Sequence, residues 1–412
     1  MRLPPILVSL TRHRLIVFLM VATTALTSAV ITNVAVMIVY RLALLHSPSG
    51  LQESSLVTVD SSSIHGGGQN AGVSLNLERL SQYRADVAAL RSIEGVEDVA
   101  TISGLPFEGG AGIDISPGPD APDDQGFQAT AYIGGPGVLK ALGLRLTQGR
   151  DFLDSEYLPS NNEQNVSKVS VAIVSRSLAV HLFHTSTAVG RLFYISEHPV
   201  RIVGVVNHLM GMSPQLGAPD NEYAMLLPLE PDDSYVTFAL HTSSQNRDRV
   251  LQRAIAVLNG RNPMRVLDNA KPFTQTRAEY FQRETSMISL LLTAAFALLF
   301  VTVAGIMGLV SYWVRQRTHS IGIRRALGAR RIDILYYFLA ENFLIITGGV
   351  LLGGLLACEL NSLLAKYFEV QMLTSSYLAA GASMLWLVGQ IAGLSPAFRA
   401  TLVPPIVATR TR

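Results

Sequence analysis

Four long apolar runs constrain this chain more than any other feature. No charged residue occurs between Leu15 and Tyr40, a run of 26 bracketed by Arg14 and Arg41, nor across the 30 residues Thr285–Val314, nor across the 29 residues Val370–Phe398. Between Ile334 and Leu360 only Glu341 and Glu359 interrupt the pattern. About 20 consecutive apolar residues carry a helix across a bilayer. The pattern therefore predicts four membrane helices, at residues 15–41 and about 285–314, 334–360 and 372–395. Composition agrees: of 412 residues, 49% are hydrophobic and 15% charged, against about 25% charged in soluble domains.

A cleaved signal peptide ending near Ser28-Ala29 competes for the first run. The run continues through VITNVAVMIVY, well past the apolar core of a signal peptide, which favours an uncleaved span. The preceding PPILVSLTRHR, within a cytoplasmic segment 1–14, reads as a short interfacial helix with Arg12 and Arg14 at the lipid headgroups.

Arginine placement orients the spans. The N-terminal tail (Arg2, Arg12, Arg14), the loop 315–333 with six arginines, and the tail 399–412 (Arg399, Arg410, Arg412) hold twelve basic residues against one acid, Asp333. Residues 42–284 hold 18 basic and 26 acidic residues, a net of −8. Positive loops stay inside, so both termini and the loop 315–333 are expected in the cytoplasm. Residues 42–284 and the short loop around Lys366 and Glu369 are then outside.

The fold class that follows is an α+β membrane protein, with a large extracytoplasmic α+β domain between the first and second spans. The external segment divides into two subdomains. Strand SSLVTVD, a helix over Leu75–Ile93 and strand VEDVATIS come first, then a Gly/Pro/Asp-rich loop to Gln125, strand FQATAYIGG and a short helix in PGVLKALGL. A polar stretch, Ser155–Ser167, marks a boundary. Beyond it VSVAIVS, helix SLAVHLF, the hairpin LFYISEHPVRIVGVVNHL and EYAMLLPL suggest a mostly β insertion at about 165–230. Strand YVTFALHT, helix Arg247–Leu258 and MRVLDNA repeat the opening strand–helix–strand order, as though a first unit (about 42–154 and 234–284) is interrupted and completed. Thr274–Ser286 reads as a charged helix running unbroken into the second span, a stiff rod.

The loop Arg315–Asp333, RQRTHSIGIRRALGARRID, contains a short helix. Ser320 can cap its start, Ile321, Ile323 and Leu327 make it partly apolar, and Gly328 can stop it. Arg324 and Arg325 could pair with a protein partner, or could only set topology and bind anionic lipid.

Other motifs weigh less. None of the four lysines (Lys140, Lys168, Lys271, Lys366) follows a glycine, so this sequence holds no Walker A phosphate loop and ATP hydrolysis is expected on another polypeptide. His181 and His184 have a spacing that can share a metal, but no nearby acid or cysteine completes a set; a surface or packing role is expected. His65 beside Gly66-Gly67-Gly68 reads as loop, the acids of Asp114–Asp124 as a solvated loop, and no grouping suggests hydrolase chemistry. Cys358 has no intrachain partner. Gly349, Gly353 and Ala357 form a small-residue face suited to close helix approach, within the chain or against a second subunit. Glu341 lies near the start of the third span, where a charge is a functional candidate or an interfacial residue.

Ile321-Gly322-Ile323-Arg324-Arg325-Ala326-Leu327-Gly328-Ala329 resembles the segment after the second span of MacB/FtsX-type ABC permeases. Phe338-Leu339-Ala340-Glu341 is similar to the opening of that family's third span, and Pro396-Ala397-Phe398-Arg399-Ala400 with Pro405 and Ala408-Thr409-Arg410 to its tail. Gly149-Arg150-Asp151-Phe152, VAIVSRSLAVHLF, Val189-Gly190-Arg191 and Arg201–Val205 resemble the MacB periplasmic core. The resemblance implies a bacterial inner-membrane permease with one-plus-three spans, paired with a second permease subunit. Residues Ser320–Gly328 would dock on a separate cytoplasmic ATPase that binds ATP and magnesium; this chain itself would need no cofactor. The expected output is export of a periplasmic substrate, such as an antibiotic or peptide, through an adaptor and outer-membrane channel. Lipoprotein extraction, and control of a periplasmic cell-wall hydrolase without transport, are alternatives. Ser320 departs from the family's usual Glu, and Pro404 and Val407 from tail acids. The coupling surface is thus less acidic than usual, consistent with weak docking or with pairing to a different permease that docks better.

Overall fold

A computed structural model describes residues 14–63, 73–119, 126–160, 168–185, 187–215, 218–262, 265–368 and 375–401. The interfacial segment 1–13, His65 with Gly66-Gly67-Gly68, most of the polar boundary stretch, Glu369 and the tail from residue 402 lie outside these residues. The described chain forms two compact units, residues 44–283 and the set 1–43 with 284–412.

The larger unit begins as helix α1 (Arg14–Leu45) ends. Strand β1 (Leu56–Ser63), helix α2 (Val73–Arg91) and β2 (Val96–Ser103) follow, then β3 (Ala111–Ser116), β4 (Phe127–Gly134), α3 (Val138–Ala141), β5 (Leu146–Gly149) and β6 (Leu158–Pro159). Next come β7 (Val171–Ser175), α4 (Arg176–Phe183), β8 (Leu192–Ile195), β9 (His198–Val206), β10 (Ala224–Leu227), β11 (Leu229–Glu230), β12 (Tyr235–Thr242), α5 (Arg247–Arg261), β13 (Arg265–Pro272) and α6 (Phe273–Tyr280). The two strand–helix–strand units interleave in one antiparallel sheet ordered β2-β12-β1-β13, the split βαβ arrangement. Val250, Leu251, Ala254 and Leu258 of α5 and Leu80, Tyr83 and Leu90 of α2 recur at helical spacing, so each helix buries one stripe against Val57, Val59, Val236 and Phe238. Buried Asp86 of α2 binds Arg261, at 2.8 Å, and Arg265, tying the helix to the second unit.

Six of the remaining strands form a closed ring of pairings, β3-β4-β10-β7-β9-β8 and back to β3, with β4–β10 and β7–β9 parallel. Alternate side chains divide between two cores: Ala172, Val174 and Met225 pack with α4, while Ile173 and Leu226 join Tyr132 and Leu142. β3 and β4 take part in this ring, β4 also pairing with β2, and the apparent loop before Gln125 holds β3, including Asp114. Its alternating A-G-I-D-I-S is short and flanked by Gly and Pro, which hid the strand.

The second unit contains α1 to Ala43 and then α7 (Gln282–Gln316), α8 (Thr318–Ala326), α9 (Arg331–Phe368) and α10 (Ser375–Thr401), where α7 enters at Glu284. Helices α1, α7, α9 and α10 are each long and apolar enough to cross a membrane. Helix α9 extends past both expected ends and carries Lys366. Helix α10 passes through Pro396 to Thr401 rather than ending near residue 395, as membrane helices tolerate. The expected continuous rod is broken: α6 ends at Tyr280, Phe281 has φ −86° and ψ 6°, and α7 starts at Gln282. The break follows from packing, because Phe281 is buried among Phe107, Tyr280 and Phe273.

Candidate coupling site

The basic loop folds as α8, flanked by Arg317 and Gly328. The helix starts at Thr318, two residues earlier than expected, so Ser320 is an internal residue and not the cap. Thr318 Oγ1 instead donates back to Arg315 O at 2.8 Å. Gly328 has φ +100°, a left-handed conformation that glycine adopts without a Cβ clash, and it ends the helix as expected. Beyond it Asp333 accepts from the Arg330 N–H at 2.9 Å, capping α9.

The two sides of α8 differ. Ile321, 5% exposed, and buried Gly322 sit in the span core; Ile321 clusters with Met20, Trp313, Val314, Phe338 and Ala397. Ile323, 46% exposed, and Leu327, 83% exposed, lie four residues apart and are exposed among the described residues. The backbone of Arg324, Arg325 and Ala326 is helical; their side chains, with that of Ser320, lie outside the described residues.

An ion pair holds the turn before α8. Arg317 Nη1 is 2.9 and 3.1 Å from the two oxygens of Glu341, which is 1% exposed, and the Tyr337 hydroxyl donates to Oε1 at 3.2 Å. The guanidinium also lies over the Trp313 ring, 4.7 Å from its centroid. Glu341 thus anchors the turn to the third span. Its position one helical turn after Tyr337 was legible, but its partner, 24 residues earlier, was not.

The small-residue face packs within the chain. A Cβ on Gly349 would meet Thr24 at 2.7 Å, and one on Gly353 would meet Ser28 at 2.5 Å. Ala357 is fully buried and its carbonyl accepts from Asn33 Nδ2 at 3.2 Å. Gly349, Gly353 and Ala357 therefore seat the third span on the first within this chain, the intrachain alternative of the two the sequence left open. Thr27 and Thr302 hydrogen-bond at 2.7 Å between the first and second spans, and Asn342 donates to Gly389 O at 3.3 Å between the third and fourth. The histidines pack too: His181 Nδ1 is 2.9 Å from the Tyr223 hydroxyl and its ring is edge-on to Phe127, while His184 closes α4 at φ +53°.

Four helices long enough to span a membrane, an α+β domain between the first two and the helix of the basic loop frame the comparison with known proteins. The family model of the MacB-like periplasmic core domain matches residues 19–265, well over half the chain, and that of the FtsX-like permease C-terminal region matches residues 292–405. The chain belongs to the MacB/FtsX family of ABC transporter permeases. It is 29% identical to the macrolide export ATP-binding/permease protein MacB of Pasteurella multocida over 64% of this chain and 40% of the relative. It is 24% identical to the ABC transporter permease YknZ of Bacillus subtilis over 79% of this chain and 78% of the relative. This permease thus spans about two fifths of the exporter's length. The periplasmic region of MacB from Actinobacillus actinomycetemcomitans is a structural neighbour, with 14% identity and a TM-score of 0.33 over 55% of this chain and 94% of that one.

Proposed function

We propose that this permease couples a separate cytoplasmic ABC ATPase, which binds ATP with magnesium, to export of a periplasmic substrate. It works in a bacterial inner membrane with both termini cytoplasmic, paired with a second permease subunit and served by an adaptor and outer-membrane channel. The observation that carries this reading is the asymmetry of α8. Its inner side is fixed by Ile321, and the turn before it by Arg317 and Glu341, while Ile323 and Leu327 stand uncovered. Covering such residues contributes about 1.5–3 kcal/mol each, enough to anchor a partner groove. A push on a helix so held moves the third span with it. The names of MacB-type relatives, which describe macrolide export, favour export as the output. None of the lysines in this sequence follows a glycine, which supports reading hydrolysis as the work of the partner ATPase.

The test is co-purification from native membranes. Ile323→Asp and Leu327→Asp are each expected to abolish recovery of the ATPase while the chain still inserts. Recovery undiminished in both variants would remove α8 from the docking surface.

A further inference from the structure

Phe107 holds φ +72°, a conformation rare for a bulky side chain because its Cβ crowds the backbone. Such strain persists only where surroundings over-determine it. Here they do. Phe107 is 7% exposed, with ring centroids 5.2 Å from Tyr280, 5.3 Å from Phe281 and 6.0 Å from Phe273. The next residue, Glu108, accepts from Thr276 Oγ1 at 2.9 Å. Loop 104–110 is thereby wedged against α6 and the point where the helix breaks.

Arg277 completes the cluster. Its guanidinium lies 5.4 Å from the Phe107 centroid and 5.6 Å from that of Phe281. Nη2 donates to Leu45 O at 2.8 Å and to Ser47 O at 2.6 Å, and Nη1 pairs with Glu53. Leu45 ends α1, so its carbonyl is one that a helix terminus leaves without an intrahelical partner, and a cation is favoured there. One side chain therefore gathers the exit of the first span, the loop 104–110 and the helix that leads by chain into the second span. Only a planar, multiply donating group can serve two carbonyls and a carboxylate while stacking on two rings. The regular helical run is interrupted at Phe281, and these side-chain contacts brace the chain at that point.

We propose that Arg277 and Phe107 are positioning residues of a clasp that makes residues 44–53, 104–110 and 273–281 move as one body, so that both span-proximal segments drive the external domain together. This rests on the reading that the chain relays motion from an ATPase. The test is hydrogen exchange on the full chain in nanodiscs. Arg277→Ala is expected to speed exchange about tenfold or more in residues 44–53 and 273–281 together, with β7 and β9 unchanged. Arg277→Lys, which keeps the charge but not the fork, is expected to fall between. Phe107→Gly accepts φ +72° without strain but removes the ring contacts, and is expected to loosen residues 273–281. Loosening of one segment alone in Arg277→Ala, or of neither, would overturn the clasp. With the co-purified ATPase bound, a nucleotide-dependent exchange change in residues 44–53 is expected in the wild type and is expected to vanish in Arg277→Ala. If the wild type shows no such change, the relay reading fails; if Arg277→Ala retains it, the clasp alone fails.

Discussion

Arg317, largely covered, and buried Glu341 form an ion pair 24 residues apart in sequence, and through it the turn before α8 is fixed to the third span. Desolvating both charges is expensive, so such a pair is poor evidence of stability by itself. Removing one partner is worse, because the other is left buried and uncompensated.

Glu341→Leu is therefore expected to destabilise the span unit by about 3–5 kcal/mol, and the double variant Arg317→Met with Glu341→Leu to recover most of that loss. Thermal melting of the purified chain in detergent measures both. A double variant no more stable than Glu341→Leu would show that the two side chains do not interact as paired.

Glycine is required at position 353 and not at position 348. A Cβ at 353 would lie 2.5 Å from Ser28 Cβ and 2.7 Å from Ala25 O, whereas at 348 it meets nothing within 4 Å. Gly353→Ala is expected to cost about 1–3 kcal/mol through overpacking, and Gly348→Ala to stay within about 0.5 kcal/mol. Equal melting temperatures for the two variants would contradict the close approach of the first and third spans.

The spans were legible because hydrophobic runs are local in sequence. Both strand–helix–strand units were legible for the same reason, including α5 with its 3.6-residue stripe. The ring was not, since closure depends on β3, six residues among turn formers, meeting β8 about eighty residues later. At the coupling site, Ile321, Gly322 and Gly328 could be placed from sequence, but Arg317 read as one more topology arginine and Ser320 as a cap. Gly349 and Gly353 announced a close helix approach without naming the neighbour, which is the first span. Arg277 was hidden in a charged helix, because its acceptors lie more than 220 residues earlier.

Asp232, between β11 and β12, is 1% exposed, and neither carboxylate oxygen has a hydrogen-bond partner among the described residues. Burial, with Asp233 beside it, pushes its carboxyl from 3.8 up to about 6. The folded chain therefore binds this proton more tightly than the unfolded chain. The resulting stability is fully present below the unfolded value and is lost as pH rises through about 6. Asp232→Asn is expected to stabilise the external domain by about 1–3 kcal/mol at pH 7 and to flatten its melting profile between pH 5 and pH 7. Circular dichroism melts of wild type and variant across that range check this; parallel profiles would contradict it.

The central claim is that the uncovered side of α8 meets an ABC ATPase, and site-specific photocrosslinking in native membranes tests it most directly. A photoreactive amino acid at position 327 is expected to yield an adduct with a cytoplasmic ABC ATPase, while the same probe at position 351, on the exposed face of the third span, is expected to yield none. No ATPase adduct from position 327, or equal adducts from both positions, would contradict the account.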